Sequence, residues 1–345
     1  MMNPRLSALG ALVLLAAVPA MAQSMPGDPD PKQVEALCRR DADADPPAGD
    51  LPTPAQRERL AHCDSEALLY GIGRPADPVQ ARLCAFVEAD DAGSGGPAPL
   101  FAGNSMLMTI YANGMGVPRN PALAVKYACM SEDSSAAREY RVLHVAGLLH
   151  EDWYKPVFSP CDDATSGEAG GECAAHDARF KDVRFAASVA AFASRVPARA
   201  QAAFASLRAA QKHWAELRSD NEIDQSGTLR SAFVIDEQQR QNADFVAMLE
   251  RLDHGAPPKL GRTQRDAAQR RIDAALQRLP QDPDARLGDT TITAGAIRAT
   301  QAAWVAYRDA WGRFAAVAYP GWGADGAEAW VSIKRADMLE HLPMR

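Results

Sequence analysis

Lysine is scarce in this chain of 345 residues: seven Lys stand against 30 Arg, and the formal balance of charge is −7. Such a chain lacks the basic surplus on which general nucleic-acid binding rests, so nucleic acid is not an expected partner. After the first 22 residues no apolar run reaches the length of a bilayer span, so stable membrane insertion is not expected either. Nowhere do apolar and polar residues alternate over a strand's length, which argues against a β architecture. No cysteine lies beyond Cys173. The histidines, His62, His144, His150, His176, His213, His254 and His341, form no metal-ligand spacing, and no C-x2-C pair exists, so a zinc site is not expected. There is no G-x-S-x-G, no phosphate-cradling glycine loop and no H-E-x-x-H. On these grounds no catalytic residue, cofactor or metal is expected.

What the chain has in abundance is alanine, 68 residues of the best helix former. With 47% apolar and 23% charged residues, the composition excludes wholesale disorder and predicts an all-α protein with room for two ordinary domains. Residues 1–22 read as a secretory signal peptide: Arg5 supplies the positive start, Leu6 to Val18 the apolar stretch, and Ala20-Met21-Ala22 a cleavage site before Gln23. In an oxidising compartment the six cysteines read as disulfide partners. Cys161 and Cys173 bracket a Gly-rich loop and are paired first. Cys38, Cys63, Cys84 and Cys129 allow three pairings, of which Cys38–Cys63 with Cys84–Cys129 is preferred. Charge is uneven as well: residues 259–345 carry +3, which leaves about −11 on residues 23–258. An acidic first part suits a basic partner; it equally serves plain solubility.

Residues 23–54, rich in Pro and Asp, read as a partly ordered arm with one short helical stretch around Val34 to Arg40. Residues 55–151 form a helical module that contains a repeat. One copy reads Tyr111-x-x-Gly114-x-Gly116-Val117-x-x-Asn120-x-x-x-Ala124-x-x-Tyr127. An earlier copy, 43 residues before it, runs through Tyr70, Gly73, Asp77, Ala81 and Cys84 and is read as lacking one glycine. Gly114 and Gly116 can end a helix and turn the chain, and Asn120 can cap the next helix with Pro121 at its first position. This pattern resembles the SEL-one-like repeats, relatives of the tetratricopeptide repeats, and implies a short α-solenoid used for protein contacts. Residues 152–173, rich in Gly, Pro and Asp, read as a cystine-closed loop or linker.

The second half repeats itself at an offset of 90. Leu207-Arg208-x-x-Gln211-x-x-Trp214-x-x-Leu217-Arg218 aligns with Ile297-Arg298-x-x-Gln301-x-x-Trp304-x-x-Tyr307-Arg308, and Met248-Leu249-Glu250-Arg251-Leu252 with Met338-Leu339-Glu340-His341-Leu342. We read two copies of one three-helix unit, 174–254 and 262–345. In the second, Ile297, Thr300, Trp304, Tyr307, Trp311, Phe314 and Ala318 make one apolar stripe on a helix from Ala294 to Tyr319. The motif Gln301, Trp304, Tyr307, Arg308 and Asp309, with Arg335 in the last helix, resembles the lysozyme-inhibitor LprI-like N-terminal domain, a family of bacterial envelope and secreted domains. The first copy is degenerate, with Leu217 for Tyr307 and Ser219 for Asp309. The family's cysteines are missing from this domain, where Gly312 stands at the expected position. The resemblance implies a periplasmic or secreted bacterial protein that binds a lysozyme-type muramidase or another envelope protein.

Several residues remain open to two readings. Glu222 with Asp224, or Asp162 with Asp163, could be imagined as paired glycosidase carboxylates, and His150-Glu151-Asp152 as an acid–base triplet. The segment Asp162 to Gly167 could reach into a partner's cleft or cap a linker. Gln301, Arg308 and Arg335 could tie the helices together or face a partner. The expectation is a non-catalytic protein-binding chain, a lysozyme inhibitor in its specific form. An envelope scaffold acting through the repeats is the alternative, ahead of a cell-wall enzyme.

Overall fold

A computed structural model describes residues 29–92, 99–131, 133–147 and 158–343. The expected signal peptide and its cleavage site, and His150-Glu151-Asp152, lie outside the described residues. Within them the chain folds as thirteen α-helices with no strand; Arg286 and Thr293 form an isolated bridge. No described helix is long and apolar enough to cross a membrane.

The first module runs through α1 (Pro31–Asp41), α2 (Pro54–Arg59), α3 (Ser65–Tyr70), α4 (Pro78–Ala92), α5 (Gly103–Asn113), α6 (Pro121–Met130) and α7 (Ser135–Gly147). The repeat units are α3–α4 and α5–α6, and their turns match. Gly114 and Gly116 both sit at φ 70°, and Asn120 accepts a hydrogen bond from the Leu123 N–H to cap α6. In the earlier unit Gly71 (72°) and Gly73 (70°) occupy the corresponding positions, and Asp77 accepts from Gln80 N–H at 3.0 Å. The earlier copy therefore lacks no glycine. Leu68, not Tyr70, corresponds to Tyr111, because Asp77 N–H donates to the Leu68 carbonyl as Asn120 N–H does to that of Tyr111. Left-handed backbone at these turns is what requires glycine. Ala81, Ala85, Ala124 and Ala128 are fully buried and let the paired helices close up.

The disulfides are Cys38–Cys129, Cys63–Cys84 and Cys161–Cys173. Only the last is the pairing expected from spacing. α1 lies across α6 and α7, which carries Cys38 to Cys129 near the end of α6, and α2 lies against α4, which leaves Cys63 beside Cys84. Val34 is buried, and Asp50 meets both Arg82 and the Tyr111 hydroxyl, so the segment from α1 to Asp50 is docked on the module.

The second half is built from α8 (Gly167–Ala193), α9 (Gln201–Asn221), α10 (Arg230–Asp253), α11 (Arg262–Gln277), α12 (Ala294–Ala318) and α13 (Gly323–Glu340). Each 90-residue copy supplies three helices, and the six share one core. Phe204, Leu207, Trp214, Phe245 and Met248 of the first copy belong to the same apolar cluster as Ile297, Trp304, Trp311, Phe314 and Leu339 of the second. α9 and α12 pack along each other in opposite directions: the Thr300 hydroxyl lies 3.3 Å from the Leu217 carbonyl, and the Phe204 and Phe314 rings are 5.4 Å apart. Those contacts place Trp214 and Trp304, the same position in the two copies, at the centre of the crossing. This is the geometry of an isologous dimer realised within one chain.

α8 starts earlier than its glycines suggest. Ser166 caps it by accepting from Ala169 N–H, and Gly167, Gly170 and Gly171 lie in its first turns rather than in a loop. Their role is close approach to the start of α10. A Cβ on Gly167 would fall on the Thr228 carbonyl, and one on Gly171 on the Ser231 hydroxyl. Gly167→Ala is expected to cost about 1–3 kcal/mol, the range for overpacking a tight contact. Thermal or chemical melts check this; an unchanged melt would mean that α8 and α10 separate freely.

The first half of α8 belongs to the first module and its second half to the bundle. Cys173 is tied to Cys161, the Leu100 N–H donates to Glu172, and the His176 ring stacks on Phe101 at 4.0 Å. His176 Nδ1 lies 2.5 Å from Glu66, and Arg179 pairs with both Asp64 and Glu66. Farther along, Phe185, Val189 and Phe192 join the bundle core.

Candidate functional site

Because corresponding residues face each other across the α9–α12 crossing, the two copies enclose a cleft lined in duplicate. Trp214 and Trp304, Met248 and Met338, and Asp244 and Lys334 are pairs separated by 90 residues, and Gln241, Tyr307, Val331 and Arg335 complete the lining. The side chains nearly fill this cleft, leaving a free volume of about 20 Å³, room for about one water. Lys334 Nζ reaches Asp244 at 3.2 Å, and these are the most exposed of the lining groups. The Trp214 and Tyr307 rings are nearly parallel, with centroids 6.4 Å apart. Burial raises the pKa of the Tyr307 hydroxyl well above its ordinary value, so it stays neutral.

Beneath the cleft lies a charged network that joins four helices. Arg335 on α13 donates through two nitrogens to the two oxygens of Glu222, at the end of α9, both at 2.7 Å, and neither side chain is exposed. Its third nitrogen donates to Gln301 on α12 at 2.9 Å, and its guanidinium lies 4.9 Å from the centre of the Trp214 ring. Glu222 also accepts from Arg218, which pairs in turn with Glu237 on α10 at 2.9 Å. Gln241 closes the chain, donating to Glu237 at 2.7 Å and accepting from the Trp214 indole at 3.2 Å. The buried charges balance, two guanidiniums against two carboxylates, with every partner within hydrogen-bond reach. That is the condition under which burying them is tolerable.

The motif residues thus separate. Gln301 and Arg335 meet directly, and Trp304 and Tyr307 line the same cleft. Arg308 lies elsewhere, bonded to Asp309 at 2.7 Å and to Gln269 on α11 at 3.1 Å, with its guanidinium 5.3 Å from the Trp304 ring centre. The imagined carboxylate pairs are not brought together for a shared task. Glu222 is held by arginines, whereas Asp224 accepts from Ser226 and from the backbone and hydroxyl of Thr291, bracing the loop before α10 against the loop before α12. These hydrogen bonds, the Ser226 hydroxyl's first, pull the Asp224 pKa down to about 2. Asp162 caps the turn at Ser159, and Asp163 faces His144 Nδ1 at 2.9 Å.

Glu237, Gln241, Asp244 and Lys334 were not singled out by the sequence pattern. One signal for them exists: at the 90-residue offset Asp244 aligns with Lys334, opposite charges at one position of two copies. Leu51 and Val79 stand 40% and 45% exposed on the first module. Arg82, which donates to the carbonyls of Asp50 and Gly116, ties their two segments together at the glycine turn. Compared with known proteins, the chain matches no family model, no curated protein and no solved structure.

Proposed function

We propose that this chain is a non-catalytic protein of an oxidising, extracytoplasmic compartment that binds other proteins through its first module. The specific target implied by the family resemblance is a basic enzyme of the lysozyme class. The observation that carries this reading is where the repeat motif of each half sits: the bundle also exposes Val183, Leu229, Phe233 and Val317, but its motif residues are occupied, whereas the glycine turn of the first module has exposed apolar neighbours. In the bundle, Gln301, Trp304, Tyr307 and Arg335 are turned inward and occupied with one another or with Glu222. In the first module, exposed Leu51 and Val79 flank the repeat's glycine turn, and Asp45 on the same module is 90% exposed. Helical repeats offer such surfaces to protein partners, and three disulfides suit an oxidising compartment. A scaffold role toward envelope proteins, acting through the same repeats, is the second reading.

Lysozyme inhibition and binding, measured with the mature chain at several salt concentrations, separate the two. If a basic lysozyme is the target, association should slow markedly as the screening length falls from about 30 Å to about 8 Å. Val79→Lys with Asp45→Lys, changed together on the surface, should weaken binding while the melt stays close to that of the parent chain. Absence of binding to any lysozyme would favour the scaffold reading. Salt-independent inhibition would move the contact off the acidic module.

A further inference from the structure

The disulfide joining the turn before α3 to α4 differs from the other two in its surroundings. Cys84 is wholly buried, whereas Cys63 is half-buried and lines an open pocket of about 750 Å³, solvent included. One helical turn beyond Cys84, Glu88 brings a carboxylate oxygen to 3.5 Å from the Cys84 sulfur. The two sulfurs and that carboxylate lie within 4.8 Å of one another, the one such grouping among the described residues. Glu88 is fixed there by the Ser65 N–H at 3.0 Å, the Ser65 hydroxyl at 2.5 Å and the Gly103 N–H at 3.0 Å. Burial first, and the nearby charge of Asp64 with it, nevertheless hold its carboxyl above the ordinary carboxylate range, outweighing those hydrogen bonds. On the other side of the disulfide, Arg59, Arg74 and His62 line the pocket into which Cys63 opens, with Glu58 at the same wall. The two guanidiniums outnumber the one carboxylate in that lining, and a net positive surrounding favours a thiolate.

We propose that Cys63–Cys84 is a site of thiol–disulfide exchange with a dithiol substrate: Cys63 is the sulfur attacked from the pocket, Cys84 the sulfur that leaves, and Glu88 the group that gives it a proton. A substrate thiolate attacks the Cys63 sulfur. A bond forms between the two, the Cys63–Cys84 bond breaks, and its electron pair goes to Cys84, which takes the proton from the Glu88 carboxyl. The substrate's second thiolate then attacks the substrate sulfur of this mixed disulfide. The substrate disulfide forms, and Cys63 departs as a thiolate beside Arg59, His62 and Arg74. The substrate is oxidised by two electrons, the protein is left with a Cys63 thiolate and a Cys84 thiol, and Glu88 regains its proton from water; the exchange runs once per chain and so is stoichiometric rather than catalytic. Cys38–Cys129 and Cys161–Cys173 carry no carboxylate in this position and remain structural.

Glu88 also holds the starts of α3 and α5 through Ser65 and Gly103, so the test needs readouts that a purely structural role would leave alone. The folded full chain is treated with dithiothreitol over a range of pH, quenched, alkylated and mapped by mass spectrometry. Cys63 and Cys84 should be labelled at least about tenfold faster than the other four cysteines. In Cys84→Ser, an aromatic disulfide reagent should add to Cys63; in Cys63→Ser, Cys84 should stay unmodified until the chain unfolds. The opening rate divided by the reagent's thiolate fraction should fall as pH rises through the Glu88 value, and Glu88→Gln should make that ratio flat. A melt of each variant registers any loss of fold separately. All three disulfides opening together, opening only on unfolding, an adduct on Cys84, or a normalised pH profile that Glu88→Gln leaves unchanged would each overturn the proposal.

Discussion

Glu222→Ala is expected to destabilise the bundle by about 3–5 kcal/mol, the cost of leaving one member of a buried ion pair without its partner. Arg335 would keep only Gln301 and the face of Trp214 as company for a guanidinium that has no exposure to water. Arg218 would lose one of its two carboxylates as well. Surface pairs behave differently: Glu35 and Arg39, 64% and 68% exposed, should contribute about 0–1 kcal/mol. Replacing both partners, Glu222→Leu with Arg335→Met, removes the stranded charge, and much of the lost stability should return. Denaturant titrations of the two single variants and the double variant provide the comparison. A double variant as unstable as the singles would mean that the network's shape, rather than its charge, holds the four helices.

Trp304→Ala should cost about 3–5 kcal/mol, the range for deleting a large buried aromatic. Trp304 is 1% exposed at the centre of the α9–α12 crossing, and its counterpart Trp214 is 3% exposed. Its loss opens a void on the seam between the copies and removes the ring beneath Arg308. Because both tryptophans line one cleft, the two deletions share surroundings, and their effects should not add. A double-mutant cycle on Trp214 and Trp304 measures that coupling. A silent Trp304→Ala in thermal melts would show that the stripe is not core after all.

Local features were legible in the chain and distant ones were not. The helix expected over Ala294 to Tyr319 forms as Ala294–Ala318, with Thr293 capping it by accepting from Ala296 N–H. Asn120 and Pro121 start α6 as their residue types suggest. Caps and apolar periods act over a few residues, so sequence exposes them. Glycine is more ambiguous: Gly114 serves a left-handed turn, whereas Gly167 and Gly171 serve close helix packing, and the letter is the same. The bond between Glu222 and Arg335 spans 113 residues, and the pairing of Cys38 with Cys129 spans 91. Both depend on which helix lies across which, and periodicity is silent on that. The stack of His176 on Phe101 was hidden for the same reason.

The contact between Asp244 and Lys334 carries a consequence for heredity. In a pair of identical units related by two-fold symmetry, each position near the axis meets its own copy, so an aspartate there would face an aspartate. Joining the two units in one gene lets them drift apart while remaining partners. Asp244 now answers Lys334 across the seam, Phe245 stands where the other copy has Arg335, and Glu237 where it has Ala327. The halves have become complementary rather than alike. Either unit paired with a second copy of itself would set like charge against like and leave Arg335 or Glu222 stranded, so each unit favours the other over its own duplicate.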